Sequence, residues 1–227
     1  FHSEKTPSFH VVPDRQIFKC FGCGKGGGVI SFIMEIENLP FTDAVRLLAQ
    51  RAGMTMPETG ENEGLRRRRE RLLVLNKEAA RWFHKQLFSP EGAAGAEYLF
   101  SRRRLSRGTV TRFGLGMAPD RWDGLITAME AAGYDKRDLL DAGLAVDSKK
   151  GRIYDRFRGR VIFPIIDTRG EVIGFGGRVL DGSTPKYLNS PDTVIYNKSR
   201  NLFALNIAKK SKLGRIILTE GYMDTIS

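Results

Sequence analysis

Residues 216–224 read Ile-Ile-Leu-Thr-Glu-Gly-Tyr-Met-Asp: an apolar run, then an acid, a glycine and a second acid four positions after the first. The run predicts a buried strand that ends at the carboxyl edge of a parallel sheet, where α/β folds place ligands. Gly221 permits a sharp turn there, and Asp224 can begin a following helix. The carboxylates of Glu220 and Asp224 are the hard oxygen ligands that magnesium takes. The alternative is that Glu220 only caps a helix at an ordinary strand end.

The charge balance indicates the kind of partner. The chain has 37 Lys and Arg against 26 Asp and Glu, a net charge of +11. Such a surface attracts polyanions through counterion release and direct contacts, which makes nucleic acid the expected partner. No long uninterrupted apolar stretch and no signal-peptide pattern supports membrane insertion or export, so we expect a cytoplasmic protein. With 227 residues, 41% of them apolar, the chain can form more than one domain.

The only two cysteines, Cys20 and Cys23, form a Cys-Phe-Gly-Cys knuckle. Two strand-like runs, residues 9–12 and 17–20, precede it and are joined by a turn rich in polar residues and proline. This layout is typical of a zinc ribbon, for which His2, Cys20 and Cys23 supply three of the four ligands that a structural zinc site normally has. A thioredoxin-like redox pair is the alternative, but the flanking sequence lacks the strand-to-helix context of that fold.

The first part of the chain resembles the N-terminal zinc-binding domain of bacterial DNA primases. The resemblance lies in residues 1–9 (Phe-His-Ser-Glu-Lys-Thr-Pro-Ser-Phe), 18–24 (Phe-Lys-Cys-Phe-Gly-Cys-Gly) and 26–32 (Gly-Gly-Gly-Val-Ile-Ser-Phe). In that family a Cys-Pro pair precedes the Phe-His, so the resemblance implies that the fourth ligand of one structural Zn²⁺ lies just before residue 1. Gly28 departs from the family, which often has Asp or Asn there.

The second part resembles successive signature stretches of the primase RNA polymerase domain. They are residues 154–164 (Tyr-Asp-Arg-Phe-Arg-Gly-Arg-Val-Ile-Phe-Pro), 174–178 (Gly-Phe-Gly-Gly-Arg), 185–191 (Pro-Lys-Tyr-Leu-Asn-Ser-Pro) and 220–224 (Glu-Gly-Tyr-Met-Asp), the last of which opens the Toprim fold. The resemblance implies that the rest of the polymerase core and a helicase-binding C-terminal domain lie beyond Ser227, so that the chain is an internal fragment.

We therefore expect a multidomain α+β chain: a small zinc ribbon of antiparallel strands plus helices, then a mixed α/β primase catalytic-core subdomain and the first strand of a Toprim fold. The expected divisions are residues 1–56 for the ribbon, 57–70 for a linker, 71–212 for the N-terminal basic subdomain and 213–227 for the start of the Toprim subdomain. The linker is expected because residues 57–64 (Pro-Glu-Thr-Gly-Glu-Asn-Glu-Gly) have few groups able to pack.

Several polar residues of the basic subdomain are candidate ligands for nucleic acid or nucleotide. Arg178 follows glycines that we expect to let a nucleic acid backbone approach, and Lys186 and Lys198 lie in loop-like segments. Tyr187 and Asn189 can stack on or hydrogen-bond to a nucleotide. The resemblance implies that the three basic residues line a groove for the template-primer hybrid and the incoming triphosphate. The alternative is that each is one of many surface cations.

A further basic contact is expected in residues 98–106, Tyr-Leu-Phe-Ser-Arg-Arg-Arg-Leu-Ser. This stretch resembles the family's Tyr-Leu-x-x-Arg-Gly-Leu-Ser, but it has one extra residue, and Arg104 stands where the family has glycine. Either Arg102 or Arg103 is therefore the equivalent of the family's arginine, and we name Arg103.

The resemblance implies a DNA primase, a DNA-directed RNA polymerase that makes short RNA primers on single-stranded DNA at the replication fork. Glu220 would be a metal-site carboxylate or the general base, and Asp224 a supporting acid, with Mg²⁺ or Mn²⁺. The implied partners are template DNA, ribonucleoside triphosphates, the replicative helicase and single-strand binding protein, for a monomer. The family's Asp-x-Asp pair lies on a later strand outside this chain, so we expect that the chain cannot make primers unaided.

Two other functions fit part of the sequence. Another Toprim enzyme, such as a topoisomerase or nuclease, would share Glu220 but does not explain the Pro-Lys-Tyr-Leu-Asn-Ser-Pro loop. A zinc-ribbon protein that only binds single strands explains the cysteines and the charge but not the acidic motif. In the ribbon, Phe9 and Phe18 could stack on template bases. We favour the interpretation that they pack its small core.

Overall fold

The computed structural model describes residues 1, 2, 4, 6–54, 60–148, 151–211 and 215–227. The chain divides into two compact units, Phe1–Glu63 and Gly64–Ser227. Within these described ranges, no helix combines the length and the apolar composition that crossing a membrane requires.

The first unit is a small antiparallel sheet with two helices. Its strands β1 (Phe9–Val12), β2 (Ile17–Cys20) and β3 (Gly26–Gly28) pair in the order β1-β2-β3. Helices α1 (Val29–Glu37) and α2 (Phe41–Arg51) follow them. The strands predicted at residues 9–12 and 17–20 are confirmed.

Four phenylalanine rings form the centre of this unit. Phe1, Phe9, Phe18 and Phe32 have ring centroids between 5.2 and 6.1 Å apart. Phe18 is buried, whereas 40% of Phe9 remains exposed. The mutual contacts of Phe9 and Phe18 agree with the packing interpretation, since so small a unit has few other large apolar groups to bury.

The second unit has helices around an antiparallel sheet. The sheet runs in the order β4-β7-β8-β9, and β5 and β6 form a separate hairpin. The strands are β4 (Gly116–Ala118), β5 (Ala145–Asp147), β6 (Ile153–Asp155), β7 (Arg160–Ile166), β8 (Val172–Val179) and β9 (Tyr187–Asn189). The helices are α3 (Gly60–Leu87), which belongs to this unit from Gly64 onward, α4 (Ala93–Ala96), α5 (Arg107–Arg112), α6 (Gly124–Ala131), α7 (Lys136–Asp141), α8 (Leu205–Ala208) and α9 (Tyr222–Ile226).

Helix α3 supplies much of the core of this unit. It buries Leu72, Leu75 and Phe83 at the spacing of one helix face. The ring of Phe83 meets those of Phe157 and Phe175 edge to face, at centroid distances of 6.5 and 5.5 Å. Since Phe175 lies on β8, this contact fixes the long helix against the central strands that carry the candidate site.

The structure differs from the expected linker. Helix α3 already begins at Gly60, so the range 60–70 is helical, while residues 57–59 lie outside the described part of the chain. Side-chain pairs stabilise this start: Arg66 bonds Glu70 one helical turn away at 3.0 Å, and Arg68 bonds Asp141 at 2.6 Å. A low content of apolar residues indicated a loop, but ion pairs favour helix here.

The predicted strand at residues 216–219 is wrong for this structure. These residues form no strand, and Ile216, Ile217 and Leu218 are 58%, 82% and 78% exposed. A strand forms only where a neighbouring strand pairs with its backbone, and no strand within the described ranges pairs with this run. The helix predicted to follow is present as α9, and Asp224 lies in its first turn.

Candidate metal centre and nucleic-acid interface

The three predicted metal ligands lie together at the end of β2. The ligand atoms of His2, Cys20 and Cys23 all lie within 4.8 Å of one another, and Cys20 Sγ is 3.5 Å from His2 Nδ1. The knuckle closes through a hydrogen bond of 2.9 Å from the Gly24 N–H to the Cys20 carbonyl. Two thiolates and an imidazole at this spacing suit tetrahedral zinc.

Neighbouring groups prepare these ligands for a metal. The backbone N–H of Cys23 and the hydroxyl of Ser8 lower the pKa of Cys20 to about 7, which favours the metal-binding thiolate. Glu4 lies 2.8 Å from Nε2 of His2 and so orients the ring with Nδ1 toward Cys20. Glu4 and Ser8 belong to the stretch 1–9 that carries the resemblance, but residue type alone did not indicate this role.

Only glycine fits at one position of the knuckle. A Cβ atom on Gly22 would lie 2.5 Å from Nε2 of His2 and 2.7 Å from Oγ of Ser8. Since neither group could move without disturbing the ligand set, the small residue is required for the closeness of His2 to the two cysteines.

In the second unit, two predicted basic residues meet at one tyrosine. Nε of Arg103 donates to the hydroxyl of Tyr98 at 2.8 Å, and Nη1 of Arg178 donates to the same oxygen. Arg178 also donates to the hydroxyl of Tyr187 at 3.3 Å. By contrast, Arg102 reaches Glu97 at 3.4 Å. The structure therefore brings Arg103, rather than Arg102, to Arg178.

The glycines before Arg178 serve a different purpose from the one predicted. A Cβ on Gly176 would lie 2.5 Å from Cζ of Tyr222, and one on Gly177 would lie 2.7 Å from Cδ1 of Phe157. Both positions are buried against protein rings, so the expectation that they admit a nucleic acid backbone is wrong. They allow Tyr222 and Phe157 to pack on strand β8.

Four of the predicted residues line one open cavity of about 750 Å³: Tyr187, Asn189, Lys198 and Glu220. Oδ1 of Asn189 accepts a hydrogen bond of 2.8 Å from the hydroxyl of Tyr222, which fixes the amide at the cavity wall. Lys186 and Asp224 are exposed and lie outside this lining. The structure thus places a carboxylate, a lysine and an amide in one cavity that is open to solvent.

A second basic and aromatic group was not predicted. The guanidinium carbon of Arg158 lies 4.2 Å from the ring centre of Trp122 and 4.8 Å from that of Tyr154. The two rings meet edge to face at 5.3 Å, and Trp122 is 64% exposed. We call Trp122, Tyr154 and Arg158 the stacking platform. The available signal was the Tyr-Asp-Arg-Phe-Arg stretch, but nothing in it indicated the distant tryptophan.

Buried Asp155 holds the stacking platform in place through hydrogen bonds. Its backbone N–H donates to the carbonyl of Trp122 at 2.7 Å, and its carboxylate accepts the N–H groups of Leu125 and Ile126 at 2.7 and 3.0 Å. Burial raises the pKa of Asp155 to about 6. The residue therefore ties the loop of Trp122 to the start of α6 and to the end of β6.

Comparison with known families agrees with both units. The family model described as CHC2 zinc finger matches residues 1–64, and the one described as DNA primase catalytic core, N-terminal domain, matches residues 82–209. The DNA primase of Clostridium acetobutylicum is 47% identical over 230 residues, which cover 100% of this chain and 38% of that protein. The DNA primase of Escherichia coli K12 is 40% identical over 232 residues, which cover 100% of this chain and 40% of that protein. The chain thus spans about two fifths of these relatives.

Solved structures give the same assignment. A DnaG primase catalytic domain bound to single-stranded DNA matches 70% of this chain and 52% of its own, with a TM-score of 0.66 and 40% identity. The zinc-binding and RNA polymerase domains of the Aquifex aeolicus primase match 100% of this chain and 54% of theirs, with a TM-score of 0.61 and 33% identity. With a zinc-finger unit followed by the N-terminal part of the catalytic core, the chain belongs to the DNA primase family.

Proposed function

We propose that this chain is the template-binding and nucleotide-binding part of a DNA primase that synthesises short RNA primers on single-stranded DNA at the replication fork. The observation that carries the proposal is the stacking platform, a guanidinium layered on an exposed indole in a chain of net charge +11. Single-strand binding proteins combine such charge with aromatic rings on which bases stack. The ssDNA-bound catalytic domain of similar fold supports the same partner.

The basic residues near the cavity would hold phosphates. Lys198 lines the cavity together with Glu220, and Lys186 is exposed in the loop before β9. Arg178 and Arg103 form a separate fixed pair on Tyr98. Lysine and arginine in these places can bind a template strand, the primer hybrid or the triphosphate of an incoming ribonucleotide.

Glu220 and Asp224 would hold Mg²⁺ or Mn²⁺. Both carboxylates are exposed, and both offer the hard oxygen ligands that these ions prefer. A Cβ on Gly221 would lie 2.7 Å from Oδ2 of Asp224, so the glycine keeps the space beside that carboxylate open. When bound, the metal would activate the attacking 3′-oxygen and neutralise the leaving pyrophosphate. The carboxylates of this chain would position it, and Glu220 could instead accept the proton.

Other partners of the proposed primase follow from family membership. They are the replicative helicase, bound through a C-terminal domain, and single-strand binding protein. We further propose that the protein is a cytoplasmic monomer at the fork and that the family's Asp-x-Asp pair, absent from this chain, completes the metal site.

Two assays on the purified chain test the proposal. In the first, a fluorescein-labelled oligo(dT) is titrated with the chain, and we expect binding that weakens as salt rises. In the second, the chain is incubated with a single-stranded template, ribonucleotides and Mg²⁺, and we expect no RNA product. Absence of binding at low salt would refute the role in template binding, and RNA synthesis would refute the need for the Asp-x-Asp pair.

A further inference from the structure

Two guanidinium groups share one phenol in the second unit. The Tyr98 hydroxyl accepts hydrogen bonds from Nε of Arg103 and from Nη1 of Arg178. Both arginines also lie over the Tyr98 ring, with their Cζ atoms 5.4 and 4.7 Å from its centre. Tyr98 itself is only 7% exposed and packs in an apolar cluster with Leu99 and Val161. A buried ring therefore holds two cations in fixed positions.

The groups of this cluster that remain available are hydrogen-bond donors and positive charges. A phenol oxygen accepts two hydrogen bonds and donates one, and the two arginines use both acceptor positions of Tyr98. The hydroxyl hydrogen of Tyr98 and the remaining N–H groups of both guanidiniums are all donors. Nε of Arg178 is buried without a hydrogen-bond partner among the residues that the structure describes. The cluster thus offers donors and positive charge and calls for an acceptor with negative charge.

Acidic residues do not supply that acceptor within the described ranges. The ion pairs found there do not include Arg103 or Arg178, whereas their neighbour Arg102 pairs with Glu97. Two arginines on one hydroxyl repel each other unless an anion lies between them. Paired donors of this kind suit the bidentate binding of a phosphate.

We propose that Tyr98 is a positioning residue that holds Arg103 and Arg178 as a two-armed phosphate clamp. The inference rests on the proposed function, in which the phosphate belongs either to a nucleic acid strand or to the triphosphate of a nucleotide. Holding both arms in advance lowers the entropy lost when the anion binds. The clamp is separate from the stacking platform, so one can be changed without the other.

A local irregularity of the helix places one arm of the clamp. Residues Glu97–Arg102 form a π-helical turn, in which the N–H of Arg103 bonds the carbonyl of Tyr98 at 2.9 Å. In a regular α-helix the N–H of Arg102, four positions after Tyr98, would make this bond to the Tyr98 carbonyl. In the π turn Arg103 makes this bond instead, which places its side chain beside Tyr98. Such turns often occur at functional sites.

The test uses Tyr98→Phe, which removes the hydroxyl and keeps the ring. The control is Tyr134→Phe: Arg71 lies over the Tyr134 ring at 5.1 Å, but Asp138 already neutralises that arginine. Each variant is titrated with labelled oligo(dT) and, by calorimetry, with inorganic triphosphate. We expect Tyr98→Phe to weaken binding of at least one probe about fivefold and Tyr134→Phe to change neither by more than about twofold.

A comparison in a second background separates positioning from general damage. If Tyr98 acts through the two arginines, adding Tyr98→Phe to a background that already carries Arg103→Gln and Arg178→Gln should cost less than about twofold, because both arms that it positions are already lost. The same fivefold loss in both backgrounds, or unchanged binding of both probes by Tyr98→Phe, would overturn the proposal.

The two probes distinguish the source of the phosphate. A loss with oligo(dT), together with a salt slope reduced by about 0.7, assigns the clamp to a strand phosphate, and a loss with triphosphate alone assigns it to the nucleotide. The two proposals can also fail separately. If the unmodified chain does not bind oligo(dT), the template-binding function is refuted. If Tyr98→Phe then still binds triphosphate more weakly than the unmodified chain, the clamp is supported.

Discussion

The guanidinium carbon of Arg158 lies 4.2 Å from the ring centre of Trp122, which is nevertheless 64% exposed. The cation fixes the indole on one side without covering it. A base from a single strand can therefore stack on a ring that is already held in place, beside a positive charge that favours the neighbouring phosphate.

Replacing Trp122 by alanine should weaken binding of labelled oligo(dT) by about tenfold, because stacking one base on an aromatic ring contributes about 1–3 kcal/mol. Fluorescence anisotropy measures this loss directly. Phe88→Ala is the matched control, since Phe88 is also an exposed aromatic residue of the second unit, at 50%. Equal losses in both variants, or none in Trp122→Ala, would remove the platform from the interface.

Asp138 joins helix α7 to the N-terminal half of α3. Its buried carboxylate accepts hydrogen bonds from Arg71 at 2.6 Å and from Arg68. Asp138→Asn removes the buried charge that pairs with Arg71, which is exposed, and with Arg68, which keeps its second partner Asp141. We therefore expect the free energy of unfolding to fall by about 2 kcal/mol, the contribution of hydrogen bonds to a charged group. Urea unfolding measures the change, and Asp147→Asn, at the exposed end of β5, is the control. A loss no larger than that of the control would show that the pairs contribute little.

The same group predicts a pH dependence. Hydrogen bonds from Arg71 and Arg68 lower the pKa of Asp138 from 3.8 to about 2 in the folded chain. The unfolded state then binds the proton more tightly, so the stability that Asp138 contributes is complete above about pH 4 and is lost as the pH falls toward 2. The difference in unfolding free energy between the original chain and Asp138→Asn should therefore shrink over that interval. A constant difference would contradict the shift.

Alanine substitutions at two histidines test zinc binding. His2→Ala should lower zinc affinity at least about tenfold, because it removes one of three described ligands, whereas His10→Ala on exposed strand β1 should leave it unchanged. Competition with a chromogenic chelator measures both affinities. Equal zinc affinity in the two variants would show that His2 is not a ligand.

Asn76 is buried in α3, and neither polar atom of its amide has a hydrogen-bond partner in the part of the chain that the structure describes. Replacement by leucine, of similar size, should raise the free energy of unfolding by about 1 kcal/mol, because an unpaired amide is costly to bury. Thermal and urea unfolding would show this. A loss of stability would mean that the amide has a partner in solution.

The sequence predicted best what depends on neighbours in the chain. Strands β1 and β2 and the ligands at Cys20 and Cys23 follow from alternation, a turn and a short motif. His2 could be added because a metal site requires further ligands of the same chemical kind.

Contacts between distant segments could not be predicted. Tyr98 and Arg178 are 80 positions apart and meet only because strand β8 passes the π turn. Trp122 and Arg158 likewise depend on the β5-β6 hairpin. The strand predicted at 216–219 is absent for the same reason. Its residues have the composition of a strand but lack a paired neighbour in the described structure.

We propose that this chain carries template-binding and metal-binding parts of a primase. The most direct measurement is RNA-primer synthesis on single-stranded DNA with Mg²⁺ by the full-length protein that contains this chain, comparing Glu220→Gln with the unmodified protein. We predict that the variant loses synthesis and still binds oligo(dT), since Glu220 would hold the metal or accept the proton while the stacking platform stays intact. Unchanged synthesis by Glu220→Gln would remove Glu220 from the active site, and no synthesis by the unmodified protein would refute the primase function.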